Sequence, residues 1–239
     1  MKSSKLSLIT GGSGGLGKAL VEKYNQEDFK VYEFSRSGKS AHHIGCDFSS
    51  PSEASQILEN TISNLSRKEY SEIVLINNAG TIHPIGPILG FDPETWIDNM
   101  NINLNSAIIA SGLFIKYFQN HSGKKVITSI SSGAAIRAKH GWALYCAAKA
   151  GLDHFCRALA LEQKAQQYPI HVVLMDPGVM DTDMQAKIRG AKESQFPELQ
   201  RFVKMKEEGL LLTPESVAQK IFDVVSGEIE NGVKYSVED

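Results

Sequence analysis

Short apolar runs rich in β-branched residues alternate along this chain with longer stretches of helical period, and that alternation leaves few architectures open. It is the pattern of a parallel sheet whose crossover helices cover both faces. The predicted strands are Leu6–Thr10, Lys30–Phe34, Ile73–Ile76, Lys125–Ser129, His171–Met175 and Val233–Ser236. Helices are expected to begin near Leu16, Ser52, Asp92, Trp142 and Pro214, the Trp142 helix running to Gln163. A further strand at His43–Cys46 follows the second too closely for a crossover helix, which brings such a connection to at least about ten to twelve residues. A single turn is the most that fits there. No repeat or low-complexity linker divides the 239 residues, and 42% hydrophobic content is enough for one large core. The expected fold is one doubly wound α/β domain over residues 1–239.

Charge and cysteine usage remove several classes of function. A net charge of −2 with no Lys/Arg run offers no surface for nucleic acid. Lys2 and Lys5 precede an apolar stretch of only Leu6 to Ile9, too short for a signal-peptide core and far too short to span a bilayer. A soluble, cytoplasmic protein with no membrane partner is expected. Cys46, Cys146 and Cys156 are odd in number and lack Cys-x-x-Cys spacing, as reduced intracellular thiols would be. The seven histidines form no metal-ligand pattern, so no metal is expected.

Chemistry enters at Thr10-Gly11-Gly12-Ser13-Gly14-Gly15-Leu16-Gly17, between an apolar strand and a helical run. Glycines there allow a sharp turn and close approach of a pyrophosphate, with helix N-terminal amides facing its charge. Gly11, Ser13, Gly15, Leu16 and Gly17 are the expected cofactor contacts. At the end of the second strand a carboxylate would hold a ribose 2′-hydroxyl, whereas a cation would take a 2′-phosphate. This chain has Ser35 and Arg36 there and no Asp or Glu, which favours NADPH over NADH. Asp47, closing the third strand, is placed either to contact adenine or to cap the helix after Ser49-Ser50-Pro51.

Tyr145 and Lys149 stand four apart in an expected helix, projecting from one face roughly 6 Å apart along its axis. A nearby ammonium would lower the phenol from its ordinary value of about 10 and make Tyr145 a proton donor and acceptor near neutral pH. Ser132 lies thirteen positions before Tyr145, just past a strand end, where it can hydrogen-bond a substrate carbonyl; Ser131 is its rival.

Together, Thr10-Gly-x-x-x-Gly-x-Gly17, Asn77-Asn78-Ala79-Gly80, Ser132, Tyr145-x-x-x-Lys149 and Pro177-Gly178-x-x-x-Thr182 resemble the short-chain dehydrogenase/reductase family, nearly end to end. The resemblance implies a Rossmann-type fold. It implies that Asn77 to Gly80, Asn78 and Ala79 included, stabilise the central sheet and line the adenosine side, and that Asn103 completes the catalytic group through a water relay, although Asn99, Asn101 and Asn105 surround it. It implies further that Ser132 orients the carbonyl, Tyr145 protonates it, and Lys149 holds the nicotinamide ribose while acting on Tyr145. Pro177, Gly178, Val179 and Thr182 match positions that line the nicotinamide. NADPH-preferring members often carry a basic residue in the glycine loop where this chain has Gly14, so the NADPH reading rests mainly on Arg36.

Within the family, Gly141–Cys146, Pro177–Gln185 and the tail Arg201–Gly209 resemble the benzil-reducing branch more closely than the sepiapterin-reducing one. The latter anchors its pterin with an Asp near the C-terminus, where this chain aligns Ser236. The expected activity is NADPH-dependent reduction of a 1,2-dicarbonyl such as benzil to (S)-benzoin, with Trp142 and Met180 as apolar pocket walls. Residues 183–209 are expected to form a helical flap, or else a solvated surface helix. A homodimer through the helices near Asp92 and Trp142 follows from the resemblance alone. Sepiapterin reduction and NADPH sensing without turnover are the competing readings; an intact Ser132/Tyr145/Lys149 set argues against a pure sensor.

Overall fold

In the computed structural model, which describes residues 4–238, seven parallel strands form one sheet in the order β3-β2-β1-β4-β5-β6-β7. Lys2 lies outside the described residues. The strands are β1 Lys5–Thr10, β2 Phe29–Ser35, β3 His43–Gly45, β4 Glu72–Asn77, β5 Lys124–Ile130, β6 His171–Asp176 and β7 Lys234–Ser236. The helices are α1 Gly15–Gln26, α2 Pro51–Leu65, α3 Pro93–Met100, α4 Ser106–Phe118, α5 Ala143–Gln163, α6 Asp183–Arg189, α7 Leu199–Glu207 and α8 Pro214–Ser226. No helix joins β2 to β3, as the short connection required.

Period-two alternation sorts each central strand between two cores. Leu6 and Leu8 of β1, with Ile73 and Leu75 of β4, pack against Leu58, Phe114 and Leu152 of α2, α4 and α5. Ile9, Val74 and Ile76 face the opposite side, against Leu20 of α1 and Ile221 of α8. A third cluster outside the sheet unites Trp142, Ile188, Phe196 and Phe202. Among the described residues no helix is long and apolar enough to cross a membrane.

Two departures from the sequence reading concern helices. The helix expected near Asp92 does start there, with Asp92 accepting from Thr95 N at 3.1 Å, but it passes through a π-helical segment at Asn101–Asn105 into α4. Ser106–Phe118 is apolar on nearly every side, so its period is blurred in the sequence. The expected flap is two helices, α6 and α7, separated by residues 190–198.

The strand order reverses between β1 and β4, where the carboxyl ends of the two strands part and leave backbone groups without a strand neighbour. Thr10 Oγ1 fills the gap by accepting from Asn78 N at 3.0 Å and Ala79 N at 3.1 Å. Asn78 Nδ2 donates back to Thr10 O and Gly11 O. Thr10→Val would orphan both amides at a buried position and should cost about 1–3 kcal/mol in urea denaturation.

Candidate active site

The loops after β1, β4, β5 and β6 meet at one edge of the sheet, the crevice where open α/β sheets bind ligands. After β1, a Cβ on Gly17 would stand 2.1 Å from Gly11 O, and one on Gly11, at φ +71°, would stand 2.8 Å from Ala79 Cα. The loop is therefore closed to side chains on its inner surface, while Gly14 has nothing within 4 Å of where a Cβ would stand. Helix α1 has Gly14 at its N-cap, no side chain capping it and no acidic residue in its first turn. Its amides and positive dipole end stay uncompensated, which fits a pyrophosphate. Ser13 is exposed, Gly15 is half-buried, and the Leu16 side chain is in the core, so Leu16 can contribute only its backbone.

At the end of β2, Ser35 is buried with its Oγ lacking a partner among the described residues, and Arg36 is exposed. Asp47 accepts from Ser49 N and Ser49 Oγ, both at 2.9 Å, and these bonds, with Arg36 nearby, hold its carboxyl below the usual range. The N-cap position of α2 belongs to Ser50. A carboxylate does stand two residues before the strand end. Glu33 is fully buried, its Oε2 2.7 Å from His43 Nδ1, and it lies beneath Gly12 and Gly38, whose Cβ atoms would stand 2.2 Å and 2.0 Å from it. Sequence position alone hid this carboxylate, because its direction depends on strand phase and on pairing with β3.

The remaining groups gather at the ends of β4, β5 and β6. Asn77 Nδ2 donates to Ser111 Oγ and Ser129 Oγ, tying the sheet to α4. Ser132 Oγ accepts from Ala134 N at 3.1 Å and is hydrogen-bonded to Tyr145. Ser131 Oγ instead donates to Asp153 Oδ1, although both serines line the cavity described below. Lys149 Nζ donates to Ile130 O at 2.8 Å and lies 5.6 Å from the centre of the Tyr145 ring. Of the four asparagines, Asn99, Asn101 and Asn105 bond to His83 O, Ser49 O and Asn101 Oδ1. Only Asn103 faces the site: it clasps Thr81 through Thr81 N and Thr81 O, both at 2.9 Å. A Cβ on the intervening Gly80 would stand 3.2 Å from Asn103 Oδ1 and 4.0 Å from Lys149 Nζ. The π-helical segment supplies this aim, a feature often found at functional sites.

The expected lowering of the Tyr145 phenol is corrected. Burial pushes it up to about 12, against a smaller downward effect of the Ser132 bond, and burial pulls Lys149 down to about 8. Helical spacing brings the two together, but exclusion of water disfavours both charged forms more strongly than their proximity favours them.

A cavity of about 310 Å³ opens above these groups, lined by Ser132, Tyr145, Pro177, Gly178, Val179 and Thr182 among others. Trp142 and Met180 are also among its lining residues. Trp142 is stacked on Phe196 at 4.8 Å and stands edge-on to Tyr145 at 5.8 Å. Thr182 caps α6 by accepting from Gln185 N, and its methyl would stand 3.2 Å from a Cβ on Gly15. Glu238 also reaches the cavity and was not anticipated from the sequence.

The family model described as short chain dehydrogenase matches residues 5–193. The chain belongs to the short-chain dehydrogenase family and is an oxidoreductase. It is 35% identical to the benzil reductase ((S)-benzoin forming) of Bacillus subtilis (strain 168), over 98% of this chain and 99% of that protein. It is 32% identical to the sepiapterin reductase of Xenopus tropicalis over 66% of this chain and 59% of that one. The crystal structure of the KRED1-Pglu enzyme superposes with a TM-score of 0.82 at 27% identity, covering 97% of this chain and all of that one.

Trp142 joins the start of α5 to the flap, so its loss should be felt in both. Trp142→Ala is expected to cost about 3–5 kcal/mol in urea denaturation and to speed proteolysis at Lys192 and Arg201 in the folded protein.

Proposed function

We propose that this chain is an NADPH-dependent carbonyl reductase that converts a 1,2-dicarbonyl such as benzil to (S)-benzoin. The observation carrying the reading is that Ser132 and Tyr145 line a mostly apolar cavity, with the Lys149 ammonium 5.6 Å from the Tyr145 ring and with Thr182 of the cavity wall packed toward Gly15 of the glycine loop. The near-full-length similarity to the Bacillus subtilis benzil reductase supports the substrate class and the stereochemistry. Arg36, beside the unpartnered Ser35 Oγ and with Glu33 closed beneath the loop, supports the 2′-phosphorylated cofactor.

When bound, the nicotinamide supplies the hydride. Gly11, Ser13, Gly15, Leu16 and Gly17 would hold its pyrophosphate, Ser35, Arg36, Asp47, Asn78, Ala79 and Gly80 the adenosine side, and Pro177, Gly178, Val179 and Thr182 the carboxamide side. Ser132 donates a hydrogen bond to the substrate carbonyl and keeps its oxygen beside the Tyr145 hydroxyl. Tyr145 protonates that oxygen as negative charge develops on it. Lys149, in its ammonium form, stabilises the phenolate left behind and would also hold the ribose, while Asn103 supports proton resupply through a water relay. Trp142 and Met180 exclude water from the apolar arms of the substrate. A homodimer is part of the reading, and Ile97, Ile108 and Leu161 leave apolar area on the outer faces of α3, α4 and α5.

Sepiapterin reduction has one observation in its favour: Glu238 places a carboxylate at the cavity two residues beyond Ser236, where a pterin's N–H groups could meet it. NADPH and NADH consumption, each with benzil, sepiapterin and a simple monoketone and with chiral analysis of benzoin, separates the readings. NADPH-dependent (S)-benzoin with little sepiapterin turnover is expected. Sepiapterin as the better substrate overturns the benzil assignment, and tight NADPH binding with no turnover moves the chain to a sensor.

Tyr145→Phe should lower kcat/KM roughly 10²- to 10⁴-fold and leave the NADPH dissociation constant by titration nearly unchanged. Reduction needs Tyr145 protonated and Lys149 charged. With Tyr145 held at about 12 and Lys149 at about 8, the lysine sets the alkaline limb. The pH profile of kcat/KM is expected to be flat below that value and to fall as pH rises through it.

A further inference from the structure

Three consecutive residues at the end of β5 are each gripped by a different charged side chain, two of them buried and the third half-buried. Ile130 O accepts from Lys149 Nζ at 2.8 Å, Ser131 Oγ donates to Asp153 Oδ1, and Ser132 O accepts from Lys234 Nζ at 3.0 Å. Asp153 follows Lys149 by one turn of α5, is 3% exposed, and takes a second bond at Oδ2 from Lys234 at 3.1 Å. Lys234 comes from β7, more than eighty positions along the chain, and also stands 3.8 Å from Asp176 Oδ2 at the end of β6. Two ammonium groups and two carboxylates thus close a neutral cluster behind the segment that presents Ser132 to the cavity.

We infer that Lys234 and Asp153 are positioning residues for the reaction: Lys234 fixes the Ser132 peptide and so the direction of Ser132 Oγ toward Tyr145, and Asp153 holds both that lysine and the preceding serine. Neither touches the reacting atoms; both act through Ser132 and Lys149. The assignment rests on the catalytic roles proposed above. Lys234 reaches Ser132 through a main-chain carbonyl, so its removal leaves one Asp153 oxygen without a donor and leaves that carbonyl only its 3.0 Å bond from Ala135 N, while the Ser132 side chain remains in place.

The two residues also act on Lys149 with opposite sign. The groups bearing on the Lys149 ammonium are Asp153 and Cys156 on α5, which raise its proton affinity, and Lys234 on β7, which lowers it, with burial the largest effect. Removing Lys234 should move the Lys149 titration to higher pH, and removing Asp153 should move it lower. A purely structural role gives no such opposition.

The test uses Lys234→Met, Lys234→Arg and Asp153→Asn in the full chain. Lysines labelled with ¹³C at Cε are followed by NMR through a pH titration, and Lys149→Met assigns the Lys149 signal. Kinetics with NADPH and benzil are run alongside. Lys234→Met is expected to lower kcat about 10- to 100-fold with KM little changed, and to move the Lys149 midpoint up by roughly half a pH unit or more. Asp153→Asn should move it down, and Lys234→Arg should recover most of kcat. The inference is overturned if folded Lys234→Met keeps the wild-type kcat and midpoint, or if both neutralising variants move the midpoint in one direction. Should wild type turn over no carbonyl at all, the catalytic reading fails, while the NMR titration still decides whether the cluster sets the charge of Lys149.

Discussion

Everything at the ligand-binding edge depends on how β1 and β4 separate. Parallel neighbours diverge at a reversal of strand order, and divergence strips backbone groups of their ladder partners. Thr10 and Asn78 close that gap with their side chains, which fixes the first turn of the glycine loop against the turn after β4. Asn77 carries the same framework sideways through Ser129 to β5 and through Ser111 to α4. The loop bearing Gly11 to Gly17 and the strand end bearing Ser132 are therefore parts of one hydrogen-bonded frame, and a dinucleotide would span elements already in register.

Burial sets the chemistry within that frame. Lys149 is 4% exposed and Tyr145 9%, so each is displaced from its ordinary proton affinity toward the neutral form. For a reductase this is a workable starting state. A phenol that resists ionisation keeps its proton until negative charge appears on the substrate oxygen, and a lysine near about 8 is still charged at neutral pH. The neutral cluster of Lys149, Asp153, Lys234 and Asp176 allows two ammonium groups to share a water-poor region without leaving either charge uncompensated.

The strands, the glycine loop and the Tyr145/Lys149 pair were legible in the sequence because each is a local pattern: alternation, a turn composition, a helical spacing. Even the missing helix between β2 and β3 followed from counting residues. What was illegible depends on distant partners. Ser131 and Ser132 are equivalent by position and are told apart by Asp153, which engages the hydroxyl of Ser131 and not that of Ser132. Four asparagines compete on paper, and only the bonds each makes across the fold, Asn103 to the Thr81 backbone beside Gly80, tell them apart. The phenol's proton affinity was misjudged because spacing reports proximity and says nothing of how much water is excluded.

The flap shows how the substrate preference and the catalytic geometry become linked. Trp142 stands at the first turn boundary of α5, three residues before Tyr145, and its ring stacks on Phe196 and leans on Phe202 of α7. Lys139, paired with Glu198, spans the same junction and lies over the rings of Trp142 and Phe202. An apolar arm seated against Trp142 therefore presses on the helix that carries Tyr145 and Lys149 and on the flap at once. Thr182 extends the coupling, since it caps α6 while its methyl approaches Gly15 of the glycine loop. In the proposed reaction the cofactor loop, the flap and the proton-donating helix meet at Trp142 and Thr182. A substrate that fills the apolar wall would thus orient its carbonyl and steady the donor with the same contacts, so that selectivity is expressed in the geometry of the reacting groups as well as in affinity.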